Sequence, residues 1–351
     1  MNAVNPDVPR NEARIYRFKV TSREPAEVEL ASPDPLPIES QMVFKDLFTF
    51  DRSGQTPKNF ERQYQAYERK IESVVDRLKE KIGPLVESMQ DGNCIEIPYD
   101  FELEQLLFEV FTLKFINFGR NPYGVRKFLN SLPREISNFV PNDPELQRIY
   151  DSISHITEEE CRRHLKRLNI TLDEYQEWLR ALFILLLPSG TQRPDTDETF
   201  DSLLEEVAYD LVHDPNCHCE MRIDVLSEDQ PYSFLVSDRT YFYSEQSKAR
   251  LILHFNVTSN LALTFQIVYP STLENSLRLM ARQGFPNKSH ETIEKAIKET
   301  KRELTERLEN RLCLNDLEFV AWFNQHTILQ AHSHVFCSRP AILGAEISDS
   351  S

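Results

Sequence analysis

At about Cys219 the apolar residues of this chain stop recurring every three or four positions and begin to alternate. Met221, Ile223 and Val225 alternate with Arg222 and Asp224, and a turn at 227–230 leads into the apolar run 232–236. Leu251, Leu253, Phe255 and Val257 then alternate with Ile252, His254, Asn256 and Thr258, and 261–269 forms another alternating run. Four strands with short connections predict an antiparallel meander. The helical period returns from Ser289, with Ile293, Ile297, Leu304 and Leu308, and a last helix is expected over 317–331.

Ahead of the switch the chain reads as helical. Pro57 suits a helix start, and Phe60, Tyr64, Tyr67, Ile71, Val74 and Leu78 recur at spacings of three and four, in a pattern that continues to Met89. Gly83-Pro84 should kink or break that helix. A second helix from about Asp100 is apolar on too many sides to lie on a surface, so it belongs in the core. Further helices are expected near 123–132, 144–154, 158–168, 172–187 and 198–212, with a loop at 189–196. Before all of these, Tyr16, Phe18 and Val20 share one face of a strand at 15–20, followed by a proline-rich acidic loop at 24–39.

The resulting expectation is an α+β fold, mostly helical, with one antiparallel β-meander sheet joined by the N-terminal strand. That strand and the meander lie on either side of the helical middle, so a single interwoven domain over 1–340 is expected. Its parts are the helical middle at about 57–212, the meander at about 219–270 and C-terminal helices at about 289–331. The segment 341–351 lacks a core pattern and is expected to be a disordered tail.

Composition narrows the function classes. Only 8 glycines occur in 351 residues, where average usage would give roughly 25. Phosphate-cradling loops need glycine for close backbone approach, so nucleotide folds start at a disadvantage. Gly119 and Gly124 have P-loop spacing, but Val125-Arg126 follow instead of Lys and Ser or Thr, and a helix stop at Gly119 before Pro122 explains the pair better. A balance of 40 Lys and Arg against 56 Asp and Glu leaves a net charge of -16, which disfavours broad attraction to nucleic acid or anionic membranes. The longest apolar stretch, 178–188, is about half of the roughly 20 residues a membrane span needs. Residues 1–14 lack a signal-peptide pattern, so a cytoplasmic location is expected, and six scattered cysteines then suggest reduced thiols.

The candidate site begins at Ser237-Asp238-Arg239, where the apolar run 232–236 ends. An ionisable group at the mouth of a buried strand is held rigidly while reaching solvent. The order of elements and several short segments strengthen that choice. Ile15-Tyr16-Arg17-Phe18, Lys45-Asp46-Leu47-Phe48-Thr49, Tyr67 to Ser73, Phe115 to Pro122, Phe234-Leu235-Val236-Ser237-Asp238 and the helix through Asn324 to Ala331 follow in order. In these the chain resembles an uncharacterised bacterial family, domain-of-unknown-function family four-two-three-eight. Two departures stand out. The family's opening His-Tyr-Val-Pro is reduced here to Val8-Pro9 without the His, and its Asp-Asn-Pro becomes Asp238-Arg239-Thr240.

The polar residues of the matched segments define the candidate catalytic set: Asp238, Arg120, Glu72 and Asn324. Buried charges need partners, so Arg120 and Asp238 are candidates for one ion pair, which would equally clip a helix layer to a sheet. Glu68-Arg69-Lys70 has a nuclease-like Glu-x-Lys pattern but sits in a helix, where solvated charges explain it. Arg148 and His155 mimic a helical ribonuclease motif at a spacing that chance supplies. His213, Cys217, His218 and Cys219, and separately His332, His334 and Cys337, would suit zinc only if the two segments met. Tyr241-Phe242-Tyr243 with Lys248 and Arg250 would suit single-stranded nucleic acid, or simply anchor a loop. No Gly-x-Ser-x-Gly elbow occurs. The set names no cofactor and no partner. The leading expectation is nucleic-acid processing of a host-defence or toxin-like kind through a polar cleft around Asp238 and Arg120. The alternative is a non-enzymatic binding or regulatory module.

Overall fold

The structure is a computed structural model that describes residues 3, 8, 12–41, 49–50, 58–59, 61–98, 100–131, 143–187, 204–205, 208–209, 216–239, 242–246, 250–270, 272, 274, 278, 289–305 and 310–348. The expected loop at 189–196, most of the 198–212 helix, His213, Tyr241 and Lys248 lie outside the described residues. In chain order the first strands are β1 (Arg14–Ser22), β2 (Glu27–Leu30), β3 (Leu36–Pro37), β4 (Thr49–Phe50), β5 (Lys58–Asn59) and β6 (Cys94–Glu96). They are followed by β7 (His218–Val225), β8 (Val236–Ser237), β9 (Phe242–Gln246), β10 (Arg250–Thr258) and β11 (Leu261–Val268). The last are β12 (Arg311–Leu314), β13 (His334–Cys337) and β14 (Glu346–Ser348). The α-helices bounded by described residues are α1 (Glu61–Glu87), α2 (Phe101–Arg120), α3 (Val125–Ser131), α4 (Pro144–Ile153), α5 (Glu158–Leu168), α6 (Leu172–Leu185), α7 (His290–Thr305) and α8 (Leu317–Gln330).

The fold is α+β, and the chain divides into two compact units, each assembled from separated stretches. One comprises Met1–Gln41, Glu80–Glu104 and Asp210–Ser351, and the other Met42–Lys79 and Gln105–Tyr209. Among the described residues no helix is long and apolar enough to cross a membrane.

The helical unit is built on strong local signals. Thr157 and Thr171 each accept from the backbone three residues on, while Glu160 and Glu174 reach back to the cap amides, so α5 and α6 both open on capping boxes. Asn169 ends α5 in the left-handed region at φ 54°, which an Asn tolerates. Trp178 on α6 is fully buried and its indole N–H donates to the Gly119 carbonyl at 2.6 Å. A Cβ at Gly119 would press on Leu182 and Phe128 at 3.1 Å, so this glycine serves helix packing. Asn121 caps the short turn Pro122–Gly124, which accounts for the second glycine of the P-loop spacing. Leu106, Leu107, Val110 and Phe111 of α2 are buried, as its all-round apolar pattern predicts. The α1 helix runs on through Gly83 and Pro84 to Glu87, one turn beyond the expected break. Thr171→Ala is expected to cost about 1 kcal/mol in urea denaturation by removing a cap acceptor.

The other unit carries the two larger sheets, β4 and β5 pairing within the helical unit, and here the single antiparallel meander is corrected. Among the described residues these are two six-stranded sheets, one ordered β14-β2-β1-β13-β8 with β3 also on β1, the other β6-β12-β7-β11-β10-β9. The 219–270 region supplies the antiparallel run β7-β11-β10-β9, but β12 joins β7 in parallel, which makes that sheet mixed. The first strand lies in the other sheet. Its apolar face needs the matching faces of β2 and β13, and Phe18 packs with Val28, Val335, Cys337, Leu235 and Ile328. The run 232–236 does not return as a meander strand either; only its end becomes β8, paired with β13.

The expected disordered tail is also corrected over 341–348, with 349–351 outside the described residues. Ile342 is buried, Asn324 donates to the Leu343 carbonyl, and β14 pairs in parallel with β2. Gly344 has φ +90° and passes so close to the Ala321 backbone that a Cβ would overlap it. Backbone contacts order this segment together with Ile342, Leu343 and Ala345, which pack on the core.

Candidate functional site

Asp238 is 7% exposed and follows β8 at its junction with β13. Its Oδ1 accepts the His332 amide at 2.7 Å, and its Oδ2 accepts the Ser333 amide at 2.7 Å, the His334 amide at 3.0 Å and the Ser333 hydroxyl at 3.1 Å. Asp238 returns its own amide to the His334 carbonyl. Successive amides folded around a carboxylate make a compact anion nest. Beside it Arg23 donates to the Ala331 and His332 carbonyls, satisfying the exposed end of α8. His334 is half-buried and held below its ordinary value, first by burial and then by Arg17, with Asp238 opposing.

Asn324 on α8 is completely buried. Its Oδ1 accepts the Leu235 amide at 2.9 Å, and its Nδ2 donates to the carbonyls of Ser233 at 3.2 Å and Leu343 at 3.1 Å. Asp238 and Asn324 therefore both fasten the segment 233–238 to α8 and its flanks. The other two expected site residues belong to the helical unit: Glu72 is exposed on α1, and Arg120 is half-buried in the last turn of α2. Glu68 and Arg69 have side chains outside the described residues. Arg148 and His155 lie on and just after α4, where His155 faces the Asp151 carbonyl at 2.9 Å.

The richest polar constellation was not singled out from the sequence. On β7, β11 and β10, Arg222, Thr264 and His254 are direct cross-strand neighbours, and Asp224, Ala262 and Asn256 form the next row on the same face. Arg222 grips Asp224 through Nε and Nη2 at 2.7–3.0 Å, reaches Asp316 at 2.7 Å and lies 4.1 Å over the Phe319 ring. His254 contacts the Thr264 hydroxyl through Nδ1 at 2.9 Å and meets Trp322 edge to face at 5.0 Å. Burial pushes Asp224 up to about 6 against the pull of Arg222. Burial pushes His254 down to about 3, helped by His326 and Arg222. At neutral pH the face thus holds a charged Asp224–Arg222 pair and a neutral His254.

A helix covers this end of the face. Val320 and Phe323 of α8 pack on Ala262, while Ile328 and Ala331 of the same helix face the first sheet's core. Farther along the strands Glu220, Gln266 and Arg250 continue the polar row as a half-buried chain of hydrogen bonds. The signal available in the sequence was the alternation itself, since charged residues at every second position of a strand mark one polar face.

The expected zinc clusters do not assemble among the described residues. His334 and Cys337 lie three apart on β13 and point to opposite faces; Cys337 is in the core and meets the Ser233 hydroxyl. The group of metal-type ligands found among the described residues is Cys94, Cys313 and Asp316, with one ligand atom from each within 4.8 Å of the others. Cys94 and Cys313 are joined as a disulfide between β6 and β12, which corrects the expectation of reduced thiols throughout. Cysteines 161, 217, 219 and 337 are not disulfide-bonded. Comparison with protein-family models, with curated proteins and with solved structures finds no match to this chain.

Proposed function

We propose that the chain is a non-enzymatic binding or regulatory module. The observation that carries this reading is the nest around Asp238. General-base work or metal ligation needs free acceptor positions on a carboxylate. Four donors from His332, Ser333 and His334 occupy those of Asp238. Asn324 is likewise spent on backbone groups. The proposed recognition surface is the less covered end of the polar face, where Glu220, Gln266 and Arg250 present both charge signs and an amide.

Membership of the domain-of-unknown-function family is part of the same proposal. Its support is that segments carrying the resemblance pack together: Phe18, Leu235, Ile328 and Ala331 share one core cluster, and Asn324 hydrogen-bonds Leu235.

A nuclease assay with single- and double-stranded DNA and RNA, in Mg2+ and in Mn2+, tests the reading on wild type and Asp238→Asn. The expected result is no hydrolysis by either, with Asp238→Asn lowering stability by about 2 kcal/mol through weakened charge-assisted bonds. Hydrolysis by the wild type overturns the proposal. Its loss in a folded Asp238→Asn protein would make Asp238 catalytic instead.

A further inference from the structure

The Cys94–Cys313 pair lies across two paired strands beside the turn that leads into α8. Its two cysteines are unlike in environment, Cys94 exposed and Cys313 fully buried. The Asp316 carboxylate completes a three-ligand group within 4.8 Å. Tetrahedral zinc, with bonds of about 2.3 Å to sulfur and about 2.0–2.2 Å to oxygen, sets neighbouring ligand atoms about 3.5 Å apart, well inside that limit. We propose that these residues form a redox-gated site for a soft divalent cation of the zinc class, closed when the cysteines are joined and open when they are reduced.

Three features make the site independent of the bond that closes it. The cysteines are register partners in an antiparallel ladder, with Cα atoms 4.1 Å apart, so the backbone keeps both sulfurs adjacent after reduction. The flanking turns are tied to each other: Leu314 donates to the Asn93 carbonyl, Gly92 to the Leu314 carbonyl, and the Asn315 amide to Asp91 at 2.7 Å. Asp316 is already aimed, since its Oδ1 accepts the Phe319 amide at 3.0 Å and its Oδ2 takes Arg222 at 2.7 Å. A carboxylate oriented by an outer hydrogen-bond donor is the usual arrangement behind a metal ligand. Two thiolates and a carboxylate match the charge and softness of zinc, and the exposure of Cys94 leaves the fourth position to water.

The gating chemistry balances with an external thiol as reductant. One thiolate attacks the exposed Cys94 sulfur, forming a mixed disulfide and releasing Cys313 as a thiolate that takes up a proton. A second thiol displaces the first, so two external thiols become one external disulfide and the protein gains two thiols. Cation binding then releases two protons to solvent.

The test uses the full chain, a phosphine reductant that ends as its oxide with oxygen from water, and Co2+ as the optical probe. Reduced wild type is expected to bind one Co2+ with a thiolate-to-cobalt charge-transfer band that Zn2+ abolishes, and oxidised wild type to show no band. Cys94→Ser, at an exposed position, should lose the band while keeping its far-ultraviolet circular dichroism. Asp316→Asn, which preserves a helix-capping side chain, should weaken Co2+ at least about tenfold. No band in reduced wild type, or a band that survives Cys94→Ser, overturns the proposal.

Discussion

Asn324→Ala is expected to lower the unfolding free energy by about 4 kcal/mol, read as a fall in the urea midpoint at unchanged slope. The side chain is fully buried and makes three hydrogen bonds to backbone groups of three residues, Ser233, Leu235 and Leu343. Truncation leaves one amide and two carbonyls without this partner in a site closed to solvent, and each such group costs about 1–3 kcal/mol. A cavity adds to the loss. Domains of this size commonly hold only about 5–15 kcal/mol in total, so the variant should sit near the edge of folding. Asn324→Asp provides the contrast: it keeps the acceptor for Leu235 but places a charge where two carbonyls expect donors, and should be at least as damaging. A loss below about 1 kcal/mol in Asn324→Ala would mean that water or backbone shifts replace the amide.

Asn324 also shows how far the sequence could be read. The last helix and the polar residue within it were legible, and so was the strand mouth at Asp238. Their meaning was not, because each was weighed as a chemical group when its partners are backbone atoms of segments far away in the chain. Asp238 is bonded 94 to 96 positions downstream and Asn324 to residues 89 and 91 positions upstream. The alternation at 251–258 and 261–269 identified β10 and β11, since long strands with one apolar face carry a strong period-two signal. The strands whose parallel pairing makes the sheets mixed, Arg311–Leu314 and Glu346–Ser348, and two more that complete them, Cys94–Glu96 and His334–Cys337, span three or four residues each. So few positions show no period, and their pairing is decided by which edge the long strands leave open. The disulfide is the same kind of case, since a separation of 219 residues has no spacing signature.

Coverage by α8 turns the polar face into a pH-dependent element of stability, and its two groups work in opposite directions. His254 has a folded value of about 3 against an ordinary 6.5. Its neutral form is the one the fold accommodates, so its contribution is complete above 6.5 and is lost as pH falls toward 3, about 5 kcal/mol in all. Asp224 has a folded value of about 6 against an ordinary 3.8. The fold favours its protonated form, so that contribution is complete below 3.8 and is lost as pH rises through 6, about 3 kcal/mol in all. Between 3.8 and 6 the unfolded chain protonates the histidine while the folded chain protonates the aspartate, and the two slopes cancel. Wild-type stability should therefore show little dependence on this pair across that window. The variants separate them. In Asp224→Asn, stability relative to wild type should fall by about 1.4 kcal/mol per pH unit as the solution is acidified from 6 to 3.8, because His254 then acts alone. In His254→Gln, the relative stability should rise by a similar slope over the same interval. Urea midpoints measured at half-unit steps read both curves. Parallel pH profiles for wild type and both variants would show that neither group changes its protonation on folding, and that the face under α8 is wetter than its burial implies.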